Sequence, residues 1–187
     1  MNNMKINSLN FSFLKDDFQI KKLEKKNIKD LYNFFKKFNN LEKEYFGYPL
    51  FQPTNISFKK FKLNYEEYIK EKNTWYYFLL FKKKHLIGLS YVKKIGFKNK
   101  KNETNKSPVL GGPYILKKFR GKKLGFILLN TVINQLRLLK IKKLYSRHEI
   151  QNKFAIKNSI NCGLKATGKK YLNKNKNFDY EFLINIK

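Results

Sequence analysis

The stretch from Pro108 to Ile150 constrains the fold more than any other part of the chain. Pro108 to Leu116 is an apolar run of strand length, and Lys117 to Gly125 is a basic turn bearing glycine. Leu124 to Lys140 has helical periodicity, and Ile141 to Ile150 reads as another strand. Strand, turn, helix and strand in that order make a βαβ unit, which predicts a parallel pair joined by a right-handed crossover.

The flanking sequence supplies the rest of a sheet. Phe18 to Leu23 alternates and suits a first strand. From Asn27, a candidate N-cap with Asp30 three residues on, the apolar positions Ile28, Leu31, Tyr32, Phe34, Phe35 and Phe38 predict a helix ending near Asn39-Asn40. Leu41 to Ser57, with Pro49 and Pro53, reads as a loop, and Phe58 to Lys72 as a second helix. Trp75 to Phe81 and His85 to Phe97 flank a run of lysines like the arms of a hairpin. Lys98 to Ser107 reads as a polar loop. A helix from Lys153 to Cys162 precedes two closing strands, Leu164 to Leu172 and Phe178 to Ile186. The order β-α-α-β-β-β-α-β-α-β-β is that of a mixed α/β (α+β) sheet. No linker or repeat divides it, so residues 1–187 are expected to form one domain, with 1–14 an irregular leader or added edge strand.

Composition narrows the function. The formal charge of +29 invites a nucleic-acid reading, because Lys and Arg neutralise phosphates. Only Arg120, Arg137 and Arg147 carry the planar fork that base readout favours, and the chain is rich in Asn, Ile, Phe and Tyr, as A/T-rich coding would produce. A solvated lysine coat and a dedicated nucleic-acid face both remain open, the expectation being no specific nucleic-acid partner. One cysteine, Cys162, and two histidines, His85 and His148, leave no metal-ligand cluster. No apolar run reaches the ~20 residues of a membrane span, and Met1 to Lys5 lacks a signal-peptide stretch, which predicts a cytoplasmic protein with no membrane partner.

The turn Arg120-Gly121-Lys122-Lys123-Leu124-Gly125 lies between a strand and a helix. Backbone amides there, with the unpaired N–H groups of the first helical turn, can bind a phosphate or pyrophosphate, and Arg120, Lys122 and Lys123 add charge. An ordinary βα connection is the plain alternative. The turn resembles the acyl-CoA motif of the GNAT superfamily of N-acetyltransferases, Gln/Arg-x-x-Gly-x-Gly/Ala, typically Arg-Gly-Lys-Gly-hydrophobic-Gly. Arg120, Gly121, Lys122, Leu124 and Gly125 match, and Lys123 replaces the middle glycine. A second signature of that family, Asn-x-x-Ala-Ile-x(6)-Gly-Phe, is matched by Asn152, Ala155, Ile156 and Gly163, with Leu164 for Phe. The spacing between the motifs and the element order fit as well.

The resemblance implies a mostly antiparallel sheet with a central parallel βαβ pair and flanking helices, and transfer of an acetyl group from acetyl-CoA to a primary amine by direct attack, without a metal. It places pantetheine between the splayed parallel strands, against the backbone of Ile115, Leu116 and Lys117. Arg120, Gly121, Lys122, Lys123, Leu124, Gly125 and Phe126 then form the pyrophosphate site. Gly111-Gly112-Pro113 suits a bulge that frees a main-chain amide to polarise the thioester, a contact that typically supplies ~3 kcal/mol. Asn152 would cap its helix or hold the pantetheine amide.

For the proton transfers the choices stay open. Ser159 stands where several family members place a Tyr acid, and Tyr145 and Cys162 are alternates. Arg147 stands where a catalytic acid can lie. Glu149, the only carboxylate between Glu103 and Asp179, shares Arg147's strand face and is the favoured base, with His148 the alternate and a structural ion pair the plain reading. Glu42, Glu44, Tyr45 and Tyr48 are candidates to receive the amine, or solvated loop residues. A homologue that binds acyl-CoA without catalysis also fits these departures. The expected state is a monomer or homodimer.

Overall fold

A computed structural model describes residues 18–46, 56–70, 75–93, 108–172 and 177–186. The strands are β1 (Phe18–Lys22), β2 (Trp75–Lys82), β3 (His85–Lys93), β4 (Val109–Ile115), β5 (Lys143–Glu149), β6 (Lys165–Leu172) and β7 (Phe178–Asn185). The helices are α1 (Ile28–Phe46), α2 (Phe58–Lys70), α3 (Leu124–Leu138) and α4 (Lys153–Asn161). The element order is the one expected. The strands form one seven-stranded sheet, β1-β2-β3-β4-β5-β7-β6, in which only β4 and β5 run parallel. The predicted leader at 1–14, most of the loops expected at 41–57 and 98–107, and Tyr48 lie outside the described residues.

Two helix boundaries differ from expectation, for local reasons. The chain enters α1 through a 3₁₀ turn, Lys25–Asn27, so Asn27 is already in helical backbone and does not cap it. Its Oδ1 is buried without a hydrogen-bond partner. At the other end α1 continues through Asn39-Asn40 to Phe46. Each Asn costs a helix well under 1 kcal/mol, and Leu41-Glu42-Lys43-Glu44 that follows is made of good helix formers. Glu42, Glu44 and Tyr45 therefore lie on the last turns of a helix rather than in a loop.

Packing follows the apolar periodicities. Ile28, Leu31, Phe34, Phe35 and Phe38 of α1 are all buried, at the i, i+3, i+4 spacing of one helix face. The Tyr32 hydroxyl donates to the Ile56 carbonyl (3.1 Å), tying α1 to the lead-in of α2. Aromatic rings fill the space between these helices and the sheet: Phe61 stacks on Tyr65, Tyr65 meets Tyr77, and Tyr77, Tyr91, Tyr114 and Phe38 continue the contact. Elsewhere α3 packs on β3 and β4 and against α4, burying Leu124, Leu128, Leu129, Val132, Ile133 and Leu136.

Candidate active site

The parallel pairing at the centre of the sheet is short. Val109 pairs with Tyr145 and Leu110 with Ser146, and there it stops. Beyond that point β4 stays paired with β3 as far as Ile115, and β5 with β7 as far as Glu149. The two strands part, and the backbone edges of Gly111–Ile115 and Arg147–Glu149 bound a gap.

On the β4 side the ladder is broken by the expected bulge. Gly111 pairs with Tyr91 and Tyr114 with Leu89, so Gly112 and Pro113 together oppose the single residue Ser90. Gly112 has φ +90, and its peptide to Pro113 is cis. The Tyr91 ring lies so close over Gly111 that an added Cβ would clash with it. Burial raises the pKa of the Tyr91 hydroxyl. Further along, Leu116 donates its amide to the Ile87 carbonyl at 2.9 Å, which turns the N–H and C=O of Ile115 toward the gap.

The turn after β4 is organised by Arg120. Its Nε donates to the Ile115 carbonyl (2.9 Å), so one of the three cations expected to serve an anion is also a clamp on the end of the strand. The carbonyls of Leu116 and Lys117 accept from the amides of Phe119 and Arg120, closing a 3₁₀ turn. Of the backbone expected at a pantetheine arm, most polar groups are thus engaged within the chain. Gly121 then takes φ +80, a conformation costly for residues with a side chain. Lys123, where the family pattern has glycine, adopts left-handed φ +57 all the same. No side chain caps α3, no acidic residue occupies its first turn, and its first internal bond is Ile127 N–H to the Lys123 carbonyl (3.1 Å). The amides before Ile127 face outward under a partial positive charge, with Arg120, Lys122 and Lys123 exposed beside them. Gly125 is a close approach: a Cβ there would lie 3.1 Å from Asn158 Nδ2 and 3.2 Å from Pro113 Cγ, so turn, bulge and α4 converge on it.

Alternation along β5 sorts the candidate catalytic groups onto two faces. Leu144, Ser146 and His148 are buried, and the intervening residues are partly exposed. His148 Nε2 lies 2.7 Å from Ser159 Oγ and 3.0 Å from Ser146 Oγ, and its ring meets Phe182. Burial lowers the His148 pKa to about 4, so the imidazole is neutral near pH 7. Ser159, at 0% exposure, is held in the core by that bond. The Asn152 side chain caps α4, accepting from the Ala155 amide (3.1 Å). Cys162 is buried, and its thiol pKa is pushed up to about 11.

The other face of β5 carries Tyr145, Arg147 and Glu149. The Arg147 guanidinium carbon sits 3.4 Å above the Tyr171 ring centroid, and Nη2 is 4.0 Å from Glu181 Oε2. Glu181, 3% exposed, also accepts from the Tyr171 hydroxyl (3.0 Å) and Thr167 Oγ1 (3.1 Å). Along the sequence Glu149 is the only carboxylate between Glu103 and Asp179, but it is not alone in space. The β5–β7 register sets Asp179 directly opposite it and Glu181 opposite Arg147. Their distance along the chain hid this pairing, which only a strand register could reveal. Ser90 and Tyr91 were missed for the same reason.

A model of the "Acetyltransferase (GNAT) family" matches residues 35–158. No curated protein sequence matches the chain. Among solved structures, the spermidine N-acetyltransferase of Vibrio cholerae in complex with CoA and spermine superposes with a TM-score of 0.67 at 18% identity, covering 91% of this chain and 96% of that one. The ribosomal-protein-S5-alanine acetyltransferase of Vibrio fischeri gives 0.73 at 15% identity, covering 93% and 96%. The yncA protein of Salmonella typhimurium, solved with its cofactor acetyl-CoA, gives 0.68 at 12% identity, covering 92% and 95%. At these identities the likeness is one of fold.

Proposed function

The chain belongs to the GNAT family of acetyltransferases, and from that premise we propose that it moves an acetyl group from acetyl-CoA to a cationic primary amine by direct attack in a ternary complex. The observation that carries the reading is the parting of β4 and β5 beside the uncapped, basic N-terminus of α3. Acetyl-CoA contributes an activated acyl group and an anionic pyrophosphate. The amides of Lys122 to Phe126 receive the pyrophosphate, with Lys122 and Lys123 adding charge. The Ile115 amide, turned toward the gap, and that of Lys117 meet the pantetheine arm, while the Asn152 cap leaves any ligand contact to its Nδ2. The bulge directs a main-chain N–H at the thioester carbonyl, where negative charge develops.

Glu149 takes the ammonium proton, directly or through water, and the neutral nitrogen forms its bond to the acyl carbon as the C–S bond breaks. A free amine near pKa 10.4 is about 0.04% neutral at pH 7, so positioning and a modest base suffice. The departing thiolate leaves with a hydrogen bond from Tyr145 and takes up the proton that the acylated nitrogen sheds, giving CoA, while Ser159, wholly buried, stays bonded to His148. His148, neutral and on the far face, orients Ser159 rather than acting as base. The acceptor lies over the face of β5 that bears Glu149, with Asp179 opposite, and Glu42, Glu44 and Tyr45, in the last turns of α1, stay candidates to receive it. Spermine and a ribosomal-protein alanine, named with the two Vibrio structures, are the first amines to try.

Two assays test this. Titration calorimetry in low salt is expected to show acetyl-CoA binding below millimolar concentration; no binding would defeat the proposal. Release of free CoA thiol in the presence of polyamines, lysine peptides and N-terminal peptides is expected for at least one class, and binding with no release for any would indicate a non-catalytic homologue.

A further inference from the structure

The bulge in β4 raises the question of what keeps it in one conformation. It sits at the inner end of the gap, where any N–H aimed at a thioester must be held still to be of use. On the neighbouring strand, the residue facing the bulge is Ser90, wholly buried at 0% exposure. Its hydroxyl donates to the Gly111 carbonyl at 2.8 Å. A polar side chain in this position is unusual within an apolar strand, Ile87 to Val92, and its burial is balanced by that one strong bond.

We propose that Ser90 is a positioning residue that fixes the Gly112 amide as the donor to the thioester carbonyl. The Gly111–Gly112 peptide is trans, so its C=O and N–H point in opposite directions. With the carbonyl drawn to Ser90 on β3, the Gly112 N–H is turned away from β3, toward the side on which β4 and β5 part. Pro113 has no N–H, and the Tyr114 amide lies in register with Leu89. Gly112 is therefore the bulge residue with an amide to offer. Gly112 at φ +90 has the rotational freedom to turn its peptide planes, and the Gly111 carbonyl is kept toward β3 by its ladder pairing with Tyr91 and by the Ser90 hydroxyl that bonds it.

This inference rests on the acetyl-transfer reading. The test compares wild type with Ser90→Ala and Ser90→Cys, the latter keeping the volume but weakening the donor. Infrared difference spectra with carbonyl-labelled acetyl-CoA are expected to show the thioester band shifted on binding to wild type, and the shift largely lost in Ser90→Ala. In steady-state assays kcat should fall about 10-fold to 100-fold, short of the ~10²–10³-fold of deleting such a donor outright. KM for acetyl-CoA should stay within about twofold and the melting transition should remain cooperative. Ser90→Cys should fall between the two. A wild-type band position and kcat in Ser90→Ala would overturn the proposal. So would a kcat loss matched by an equal rise in KM for acetyl-CoA, which marks general distortion. If wild type itself shows no band shift and releases no thiol, the acetyl-transfer reading falls with it.

Discussion

His148 offers a test of the core beneath the site. In the unfolded chain a histidine takes up its proton near pH 6.5, whereas burial against Ser146, Ser159 and Phe182 lowers the folded value to about 4. Between those values the unfolded state binds the proton and the native state does not, so stability falls as pH falls. Whatever His148 contributes is fully present above pH 6.5. At pH 5 the gap of about 1.5 units corresponds to ~2 kcal/mol lost, and by pH 4 the loss approaches ~3 kcal/mol. Low pH also increases the repulsion within so cationic a chain, so the useful quantity is a difference. Urea unfolding of wild type and His148→Gln at pH 7.5 and pH 5 isolates it, since every other group titrates in both proteins. Gln can keep a hydrogen bond to Ser159 but binds no proton. Wild type should lose ~2 kcal/mol more than the variant on acidification. Parallel pH profiles, agreeing within about 0.5 kcal/mol, would mean that native His148 protonates normally and that the buried Ser146–His148–Ser159 chain is wrong.

Other perturbations probe separate elements. Gly111→Ala forces a methyl into the Tyr91 ring and should lower stability by ~1–3 kcal/mol in a chemical-denaturation experiment, with loss of acetyl-CoA binding as the bulge shifts. Glu181→Gln removes the buried carboxylate beside half-buried Arg147; about 2 kcal/mol of destabilisation is expected by the same method, whereas under 1 kcal/mol would mark the pair as incidental. Glu149→Gln should cut kcat by about 10²-fold with little change in acetyl-CoA affinity, and unchanged turnover would remove Glu149 from the mechanism. Replacing both Lys122 and Lys123 by Ala should weaken acetyl-CoA binding about tenfold in calorimetry at low ionic strength, with a smaller difference at 0.5 M salt.

How far these features can be read from the residues depends on their range along the chain. The turn from Arg120 to Gly125, the bulge at Gly111-Gly112-Pro113 and the cap at Asn152 are local, and each stands where its residues indicate. Helix ends are local too, yet the Asn39-Asn40 pair misleads because a weak propensity yields to the helix formers beyond it. Contacts between distant segments are of another kind. Nothing in Glu149 and Asp179 announces that they face each other, because that depends on the register of β5 with β7, two strands that α4 and β6 separate along the chain. Ser159, read as a stand-in for a tyrosine acid, is bonded to His148 because β5 alternation and the α4 turn bring both into the core. Arg120 was assigned to an anion by its motif, but its reach back to the Ile115 carbonyl needed the strand's end to be placed first. The motif thus names a candidate turn, and the sheet decides which groups lie beside the gap.

The central claim, that the parted strands and the uncapped helix form one acetyl-CoA site, is tested most directly by titrating acetyl-CoA into the ¹⁵N-labelled protein and following individual amides. Saturable shifts are predicted for Lys122 through Phe126 and, across the gap's edge, for Gly112 and Ile115, with the Gly112 shift smaller when CoA replaces acetyl-CoA. Shifts scattered over the exposed lysines, or none at the turn and the bulge, would contradict the account.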